Sequence, residues 1–298
     1  MAQNYSKFIE KIGKEDLRLK VELAPYTTFG IGGAADLFLE AKKTTDLERI
    51  VRLANEEKIP YLVIGAGSNL LVSDEGFRGL VIKMTSDNLE VNGEQIIAES
   101  GLPISKLVKE TADKGLSGLE FLAGIPGTVG GAVVGNAGAW GESLGDKISQ
   151  VEVLKEKGKA AWIDKDNCQF SYRDSVFKHK TWIVLRVKIT LKKGSSQKIK
   201  TKIEENLNKK SNQPHEPSAG CIFVNPRPDI AAKLIEECGL KGKTAGGAKI
   251  SEKHSNFIVN TGEAKAKDVC QLINEVKKSV KEKFGVDLQE EVRFIGKR

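Results

Sequence analysis

Apolar positions recur along the chain with two different periods, and the switches between them mark the elements. Leu47, Ile50, Val51 and Ala54 fall on one face of a helix, and Thr45-x-x-Glu48 has the form of a capping box at its start. Pro60 closes that segment. Tyr61-Leu-Val-Ile64 then predicts a short buried strand running straight into Gly65-Ala-Gly-Ser-Asn69, and residues 79–84 predict another strand. A helix is expected after Pro103, with Ile104, Leu107, Val108 and Ala112 on one face and Gly115 as its stop. Residues 123–145 hold eight glycines and no helical or strand period. A loop of that length is predicted to be functional. Strands are expected over 150–154 and 182–191, the second setting Ile183, Leu185, Val187, Ile189 and Leu191 on one face.

Residues 192–212 are Lys-rich and polar, with a helical portion near 199–208, and read as a junction. Beyond them the pattern predicts a short helix over 228–238 ending at Gly239 and a strand over 256–260. An amphipathic helix over 265–284 follows, carrying Val269, Leu272, Ile273, Val276, Val280 and Phe284 on one stripe. A last strand is expected over 291–295, opening at Glu291. Helix, strand, Gly-rich turn and strand in succession imply an α/β or α+β protein. The expected division is a polar, partly helical lead-in over 1–24, a region over 25–192 in two parts (about 25–84 and 85–192), and a third over 200–298.

Composition narrows the function. At 298 residues, 40% of them apolar and 29% charged, the chain can bury an ordinary core, and disorder is excluded. The net charge of +7 is modest; it suits an anionic ligand, but a Lys-rich solvated surface explains it more readily. Aromatic residues are 6% and do not interleave with basic ones, which argues against a nucleic-acid platform. Cys168, Cys221, Cys238 and Cys270 are scattered with no C-x-x-C, so neither a zinc cluster nor any other metal site is expected, nor a disulfide framework. The opening twenty residues lack an apolar core of the kind a secretory leader needs, and no apolar run approaches the ~18 residues of a membrane span. The expectation is a cytoplasmic protein with reduced thiols.

Glycine is the outlier, 30 of 298 residues, about a tenth against a usual ~7%. Three strings stand out. They are Thr27-Thr-Phe-Gly-Ile-Gly-Gly33, Ile64-Gly-Ala-Gly-Ser-Asn69, and Gly124-Ile-Pro-Gly-Thr-Val-Gly-Gly131 continuing through Gly135-Asn136-Ala-Gly138. Successive backbone N–H groups in such turns form concave nests for phosphate oxygens, and glycine removes the Cβ that would block the approach. Ser68, Asn69, Thr128 and Asn136 add side-chain donors. Gly65-x-Gly67 is followed by Leu70 where a Rossmann fingerprint has its third glycine, and no string continues into Gly-Lys-Ser/Thr as a P-loop does. The strings therefore imply a pyrophosphate-bearing ligand held in a non-Rossmann way.

Six motifs in order carry a resemblance. Tyr26-Thr-Thr-Phe-Gly-Ile-Gly-Gly33, Gly65-Ala-Gly-Ser-Asn-Leu-Leu71, Gly124-Ile-Pro-Gly-Thr-Val-Gly-Gly-Ala132, Ser171-Tyr-Arg-Asp-Ser175, Pro217-Ser-Ala-Gly-Cys-Ile-Phe223 with Asn225-Pro226, and Glu291-Val-Arg-Phe-Ile-Gly296 resemble the UDP-N-acetylenolpyruvoylglucosamine reductase (MurB) family. The compact 210–222 region resembles its shorter branch. The resemblance implies an α+β fold, with an FAD-binding portion of the vanillyl-alcohol-oxidase (PCMH) type in two subdomains and a C-terminal substrate-binding domain. It also implies non-covalent FAD, NADPH as reductant, and UDP-N-acetylglucosamine enolpyruvate as the substrate reduced to UDP-N-acetylmuramate. That step belongs to peptidoglycan synthesis, and so to cell-wall biogenesis, cell shape and division. A monomer that binds no nucleic acid is expected.

The same resemblance nominates residues. The FAD set is Gly30, Gly65, Ala66, Gly67, Ser68, Asn69, Gly124, Ile125, Pro126, Gly127, Thr128, Gly131 and Ala132. Arg173 matches the family's catalytic arginine, since a guanidinium holds a carboxylate bidentately and stabilises a developing enolate. On residue type alone it is one of 47 basic residues on a turn. Glu291 matches the catalytic glutamate, and its alternative is an ordinary charge at a strand edge. Cys221 is the departure, because the family commonly has Ser as proton donor there. A thiol near pKa ~8.5 is a far stronger acid than an aliphatic hydroxyl and can fill the role. Tyr172, Lys210, Asn225 and His254 are the substrate candidates, with Lys209 and Gln213 beside them. Two other functions compete. One is a different FAD oxidase or dehydrogenase of the same superfamily, which explains the glycine strings but not the three later motifs together. The other is a non-catalytic basic nucleotide or nucleic-acid binder, suggested by the charge.

Overall fold

The computed structural model describes residues 5–13, 16–155 and 158–297. Helices and strands are mixed along the chain, giving an α+β fold. The chain divides into two compact units, each drawn from separated stretches. One comprises Met1–Arg18, Leu37–Ala66 and Gly79–Ser211, and the other Leu19–Asp36, Gly67–Arg78 and Asn212–Arg298.

The first unit has two cores. In one, helices α1 (Ser6–Ile12) and α2 (Thr44–Glu56) cover the strands Tyr61–Ile64 and Phe77–Met84, which pair in parallel. Leu47, Ile50, Val51 and Ala54 of α2 point into this core beside Leu80 and Ile82, as the periodicity requires. The cap differs from the expected Thr45/Glu48 box. The N-cap is Lys43, two residues earlier, and the Asp46 carboxylate accepts the Lys43 N–H at 3.0 Å. A carboxylate in the first turn also suits the positive end of the helix dipole, so Asp46 takes that role and leaves Glu48 in the helix body. Of the expected lead-in, residues 1–4, 14 and 15 lie outside the described residues.

The second core of this unit is an antiparallel sheet in the order Ala160–Asp164, Ile148–Leu154, Ile183–Thr190, Gln95–Glu99, Leu89–Asn92. Helix α3 (Ile104–Asp113) follows Pro103 and buries Ile104, Leu107, Val108 and Ala112. The strand Ile183–Thr190 does not keep one face throughout. Its register against Ile148–Leu154 shifts between the Glu152–Arg186 and Val153–Val184 pairs, leaving Leu185 as the extra residue. A one-residue slip sends side chains to the opposite face. Val187, Ile189 and Leu191 therefore enter the sheet core with Val184, while Leu185 and Ile183 pack in the α1–α2 core with Leu154. One strand thus closes two cores.

The glycine-rich stretch over 123–145 is not all loop. It contains α4 (Val129–Val134), whose Val129, Ala132 and Val133 are buried, and a small antiparallel pairing of Gly138–Ala139 with Glu142–Ser143. Glycine hides this helix from the sequence pattern because it lowers helix propensity without removing the ability to form the ladder. Helix α5 (Ser196–Asn208) completes the unit, its Asn206 side chain donating to the Glu120 carbonyl at 2.9 Å.

In the second unit an antiparallel sheet runs Ser218–Cys221, Phe257–Asn260, Ala248–Ile250, Thr244–Ala245. Helices α6 (Ala231–Glu237) and α7 (Ala266–Phe284) belong to the same core. Val269, Leu272, Ile273, Val276 and Val280 of α7 are fully buried, each worth about 1.5–3 kcal/mol. The Asp74 carboxylate accepts the Ala266 and Lys267 N–H groups at 2.8 and 3.2 Å, capping α7 from 192 residues away. The last strand is Arg293–Ile295, pairing in parallel with Leu70–Val72. Glu291 does not open it but lies two residues before.

Candidate functional site

In the first unit the second and third glycine strings meet. A Cβ on Gly65 would lie 2.2 Å from the Thr128 Oγ1, so only glycine lets Tyr61–Ile64 end against the start of α4. Thr128 is the N-cap, its Oγ1 accepting the Gly131 N–H at 3.5 Å. Among the described residues the Ala66 and Gly127 N–H groups find no acceptor. Gly131 and Gly124 are exposed at this surface, and a Cβ on Gly131 would meet nothing nearer than 3.7 Å. Backbone donors left open beside glycines with free space above them fit the pyrophosphate of a dinucleotide. Gly124 itself, at φ +72°, packs beneath Leu207 and Lys210.

The Arg173 segment belongs to the same unit. Ser171 and Asp174 exchange backbone hydrogen bonds of 3.0 and 3.2 Å across a tight turn, with Tyr172 and Arg173 at its tip. Arg173 has φ +58°, a left-handed conformation that costs a non-glycine residue about 1–2 kcal/mol. Its guanidinium lies over the Tyr172 ring at 5.5 Å. The turn is fastened from behind. Asn136, 4% exposed, donates from Nδ2 to the Ser171 carbonyl at 2.8 Å and accepts the Gly145 N–H on Oδ1 at 2.9 Å. The Ser175 hydroxyl donates to the Val134 carbonyl at 2.7 Å.

Lys210 stands near Arg173. Burial, with the guanidinium's charge adding to it, lowers its pKa to about 8. Its Nζ donates to the Ala123 carbonyl at 2.6 Å, bracing the start of the third string. The neighbouring Lys209 ammonium lies over the exposed Trp140 ring at 5.3 Å.

In the second unit the first string reaches Cys221's strand. The Thr28 hydroxyl donates to the Ser218 carbonyl at 2.7 Å, and the Ser218 N–H donates to the Thr28 carbonyl at 3.1 Å. A Cβ on Gly67 would lie 2.2 Å from the Tyr26 carbonyl oxygen, so those two strings are in contact as well. A Cβ on Gly30 would meet only the Asn260 amide, at 3.5 Å.

Cys221 is half-buried at the end of its strand, after Gly220 at φ +76°. Glu291 comes to it through the backbone, its N–H donating to the Ile222 carbonyl at 2.7 Å. Asn69 joins them by donating from Nδ2 to the Glu291 carbonyl at 3.0 Å, while its own carbonyl accepts the Arg293 N–H. Asn69, nominated toward FAD, thus directs its amide to the glutamate's backbone. Cys168 offers a contrast. Burial, with Asp164 adding to it, pushes that thiol up to about 12, which leaves it inert.

Two nominated substrate residues have other tasks here. Asn225 Oδ1 accepts the Ala231 N–H at 3.0 Å and so starts α6. His254 packs edge-on to Phe257 at 4.9 Å. Its pKa is lowered chiefly by burial, and its Nδ1 has no partner among the described residues. The residue types alone did not reveal Asn256. Its side chain accepts the Phe223 N–H at 2.9 Å and donates to the Phe223 carbonyl at 2.8 Å, and its own carbonyl accepts the Ile222 N–H. A polar residue bounding the apolar run Phe257-Ile-Val259 was the available signal, since a buried amide must find partners.

Comparison with known proteins agrees with these features. Residues 213–295 match the family model described as UDP-N-acetylenolpyruvoylglucosamine reductase, C-terminal domain, and residues 35–164 match one described as FAD binding domain. The UDP-N-acetylenolpyruvoylglucosamine reductase of Caldanaerobacter subterraneus subsp. tengcongensis is 45% identical over 295 residues, covering 98% of this chain and 97% of that protein. The Bacillus subtilis protein of the same name is 44% identical over 279 residues, covering 92% of each. The crystal structure of the Thermus caldophilus reductase superposes with a TM-score of 0.83 at 38% identity, covering 94% of this chain and all of that one.

Proposed function

Because the chain belongs to the UDP-N-acetylenolpyruvoylglucosamine reductase (MurB) family, we propose that it reduces UDP-N-acetylglucosamine enolpyruvate to UDP-N-acetylmuramate with NADPH, as a cytoplasmic monomer serving peptidoglycan synthesis. The observation that carries the reading is the join of Glu291 to Cys221 through Ile222, which holds a carboxylate residue and a thiol residue side by side on rigid backbone. The glycine cradle at Gly65 and Thr128 supports FAD as the resident cofactor. Held at this cradle, FAD would supply the hydride-transfer chemistry that links NADPH to the enol ether.

The protein's own residues handle the charge and the proton. Arg173 takes the substrate carboxylate and stabilises the negative charge that develops beside it. The Cys221 thiol delivers the proton to the α-carbon, completing a two-electron reduction of the double bond. Glu291 polarises the same region. Lys210, its pKa lowered to about 8 by burial and by the Arg173 charge, still carries its proton at neutral pH and adds positive charge beside Arg173. Tyr172, exposed beside Arg173, is proposed to meet the substrate, while Asn225 acts only by fixing the start of α6. No disulfide joins the cysteines among the described residues, and no described helix is long and apolar enough to cross a membrane.

The test is NADPH oxidation by the purified yellow protein with and without UDP-N-acetylglucosamine enolpyruvate. The expected result is a rate that rises with that substrate and saturates. An unchanged rate sinks the reading and favours another flavin oxidase or dehydrogenase.

A further inference from the structure

We propose that Asn136 is a positioning residue for Arg173, setting the guanidinium's direction from beneath its turn. The inference rests on the role given to Arg173 above. Three observations carry it. The Asn136 side chain is almost fully buried and engages at both ends, as donor to the Ser171 carbonyl and as acceptor of the Gly145 N–H. Asn136 itself sits at φ +42°, just after α4, so its backbone bends to bring the amide beneath the turn. The turn it supports holds Arg173 in a left-handed conformation that short-range contacts alone do not favour.

The geometry explains the residue type. The task needs a donor and an acceptor on two separate atoms of one short side chain, which an amide provides; a carboxylate has no donor, and a hydroxyl has both on a single atom. Asn136 touches neither the substrate carboxylate nor the thiol in this reading. Its effect reaches the reaction only through where Arg173 points. The Gly145 bond holds the amide's other end, and a Cβ on Gly145 would lie 2.9 Å from Oδ1, so that neighbour is fixed too. Ser175, bonded to the Val134 carbonyl, limits the turn from its far side.

Asn136→Asp keeps the size and the acceptor for Gly145, but sets an oxygen against the Ser171 carbonyl. Asn136→Gly deletes both bonds and tolerates the positive φ, so it serves if the Asp variant is insoluble. Each is measured in the FAD-loaded protein by four readouts: thermal midpoint, visible spectrum, bleaching by NADPH, and return of colour on adding UDP-N-acetylglucosamine enolpyruvate. The expected result is an unchanged spectrum, bleaching within about twofold of wild type, and colour return slowed about 10- to 100-fold, the scale of a misdirected group. On an Arg173→Ala background the same substitution should cost less than about twofold more, because residues acting through one another are non-additive. Colour return at wild-type speed in both Asn136 variants, with Arg173→Ala slow, overturns the inference alone. A full additional loss on the Arg173→Ala background also overturns it. If Arg173→Ala itself recovers colour at wild-type speed, the role of Arg173 fails, and this inference fails with it.

Discussion

The backbone N–H of Glu291 donates to the carbonyl of Ile222 at 2.7 Å, so the glutamate is fixed to the residue that follows Cys221. The two side chains proposed to act on the reacting carbons are thus spaced by peptide geometry rather than by flexible side-chain contacts. The Asn69 amide on the Glu291 carbonyl removes a further degree of freedom.

That spacing makes the thiol replaceable by a shorter acid in the same place. Cys221→Ser is expected to keep turnover within about tenfold of wild type. Cys221→Ala is expected to lower it by about 10²–10³, the ordinary contribution of a positioned acid. NADPH should bleach the flavin of either variant within about twofold of wild type in stopped flow. Colour that returns as fast in the alanine variant as in wild type would remove Cys221 from the reaction.

Gly65→Ala places a methyl group 2.2 Å from Thr128 Oγ1 and must push α4 away. We expect about 1–3 kcal/mol of destabilisation and a purified protein depleted of FAD, its dissociation constant raised at least about tenfold. Gly131→Ala, whose Cβ meets nothing nearer than 3.7 Å, should keep the denaturation midpoint while weakening FAD, because its methyl enters the cradle rather than the packing. Denaturation midpoints separate the two variants.

Arg173→Gly relaxes the left-handed backbone at φ +58° while deleting the guanidinium. Thermal stability should hold or rise by up to about 1 kcal/mol, whereas turnover should fall at least about 100-fold. A loss of stability in this variant would show that the guanidinium's contacts outweigh the backbone strain.

Lys210 gives a pH signature. Its folded pKa of about 8 lies below its ordinary value of 10.5, so between those values the unfolded chain holds a proton that the folded chain has released. Stability relative to Lys210→Met is therefore expected to rise as pH climbs from about 8 toward 10.5. Loss of the charge beside Arg173 should also raise KM for the anionic substrate above about pH 8. Lys210→Met should show a raised KM with no inflection there, and an inflection that survives in it assigns the titration to another group.

Asn256→Ala strips partners from the Phe223 N–H and carbonyl together, in a place 3% exposed. At about 1–3 kcal/mol for each orphaned group, the loss should be about 2–5 kcal/mol, read as a urea or thermal midpoint shift. Asn256→Asp should behave almost as badly, since it accepts but does not donate.

Much of this arrangement was legible in the residues, for local reasons. α2, α3 and α7 follow from 3.6-residue spacing, and the glycine strings mark tight backbone approach because no other residue tolerates it. What escaped the pattern depends on distant partners. The slip at Leu185 is set by a neighbouring strand, and the Asp46 cap by which of two adjacent carboxylates meets a free N–H. Asn136 read only as one more donor in a glycine run, because the carbonyl it supports is 35 residues further on. Asn256 is likewise explained by a segment 33 residues earlier.

The segments of the second unit are widely separated in the chain. Phe29, Ile31 and Leu71 bury themselves only among side chains from residue 219 onward, and Leu70–Val72 finds its parallel partner at Arg293–Ile295. During synthesis at about 5–20 residues per second, these early apolar segments wait about 10–50 s for the last strand to be made. Non-local closure of this kind also slows folding once the chain is free. Phe29, Ile31 and Leu71 therefore stay unburied in the growing chain, as surfaces open to aggregation, until Arg293–Ile295 has emerged.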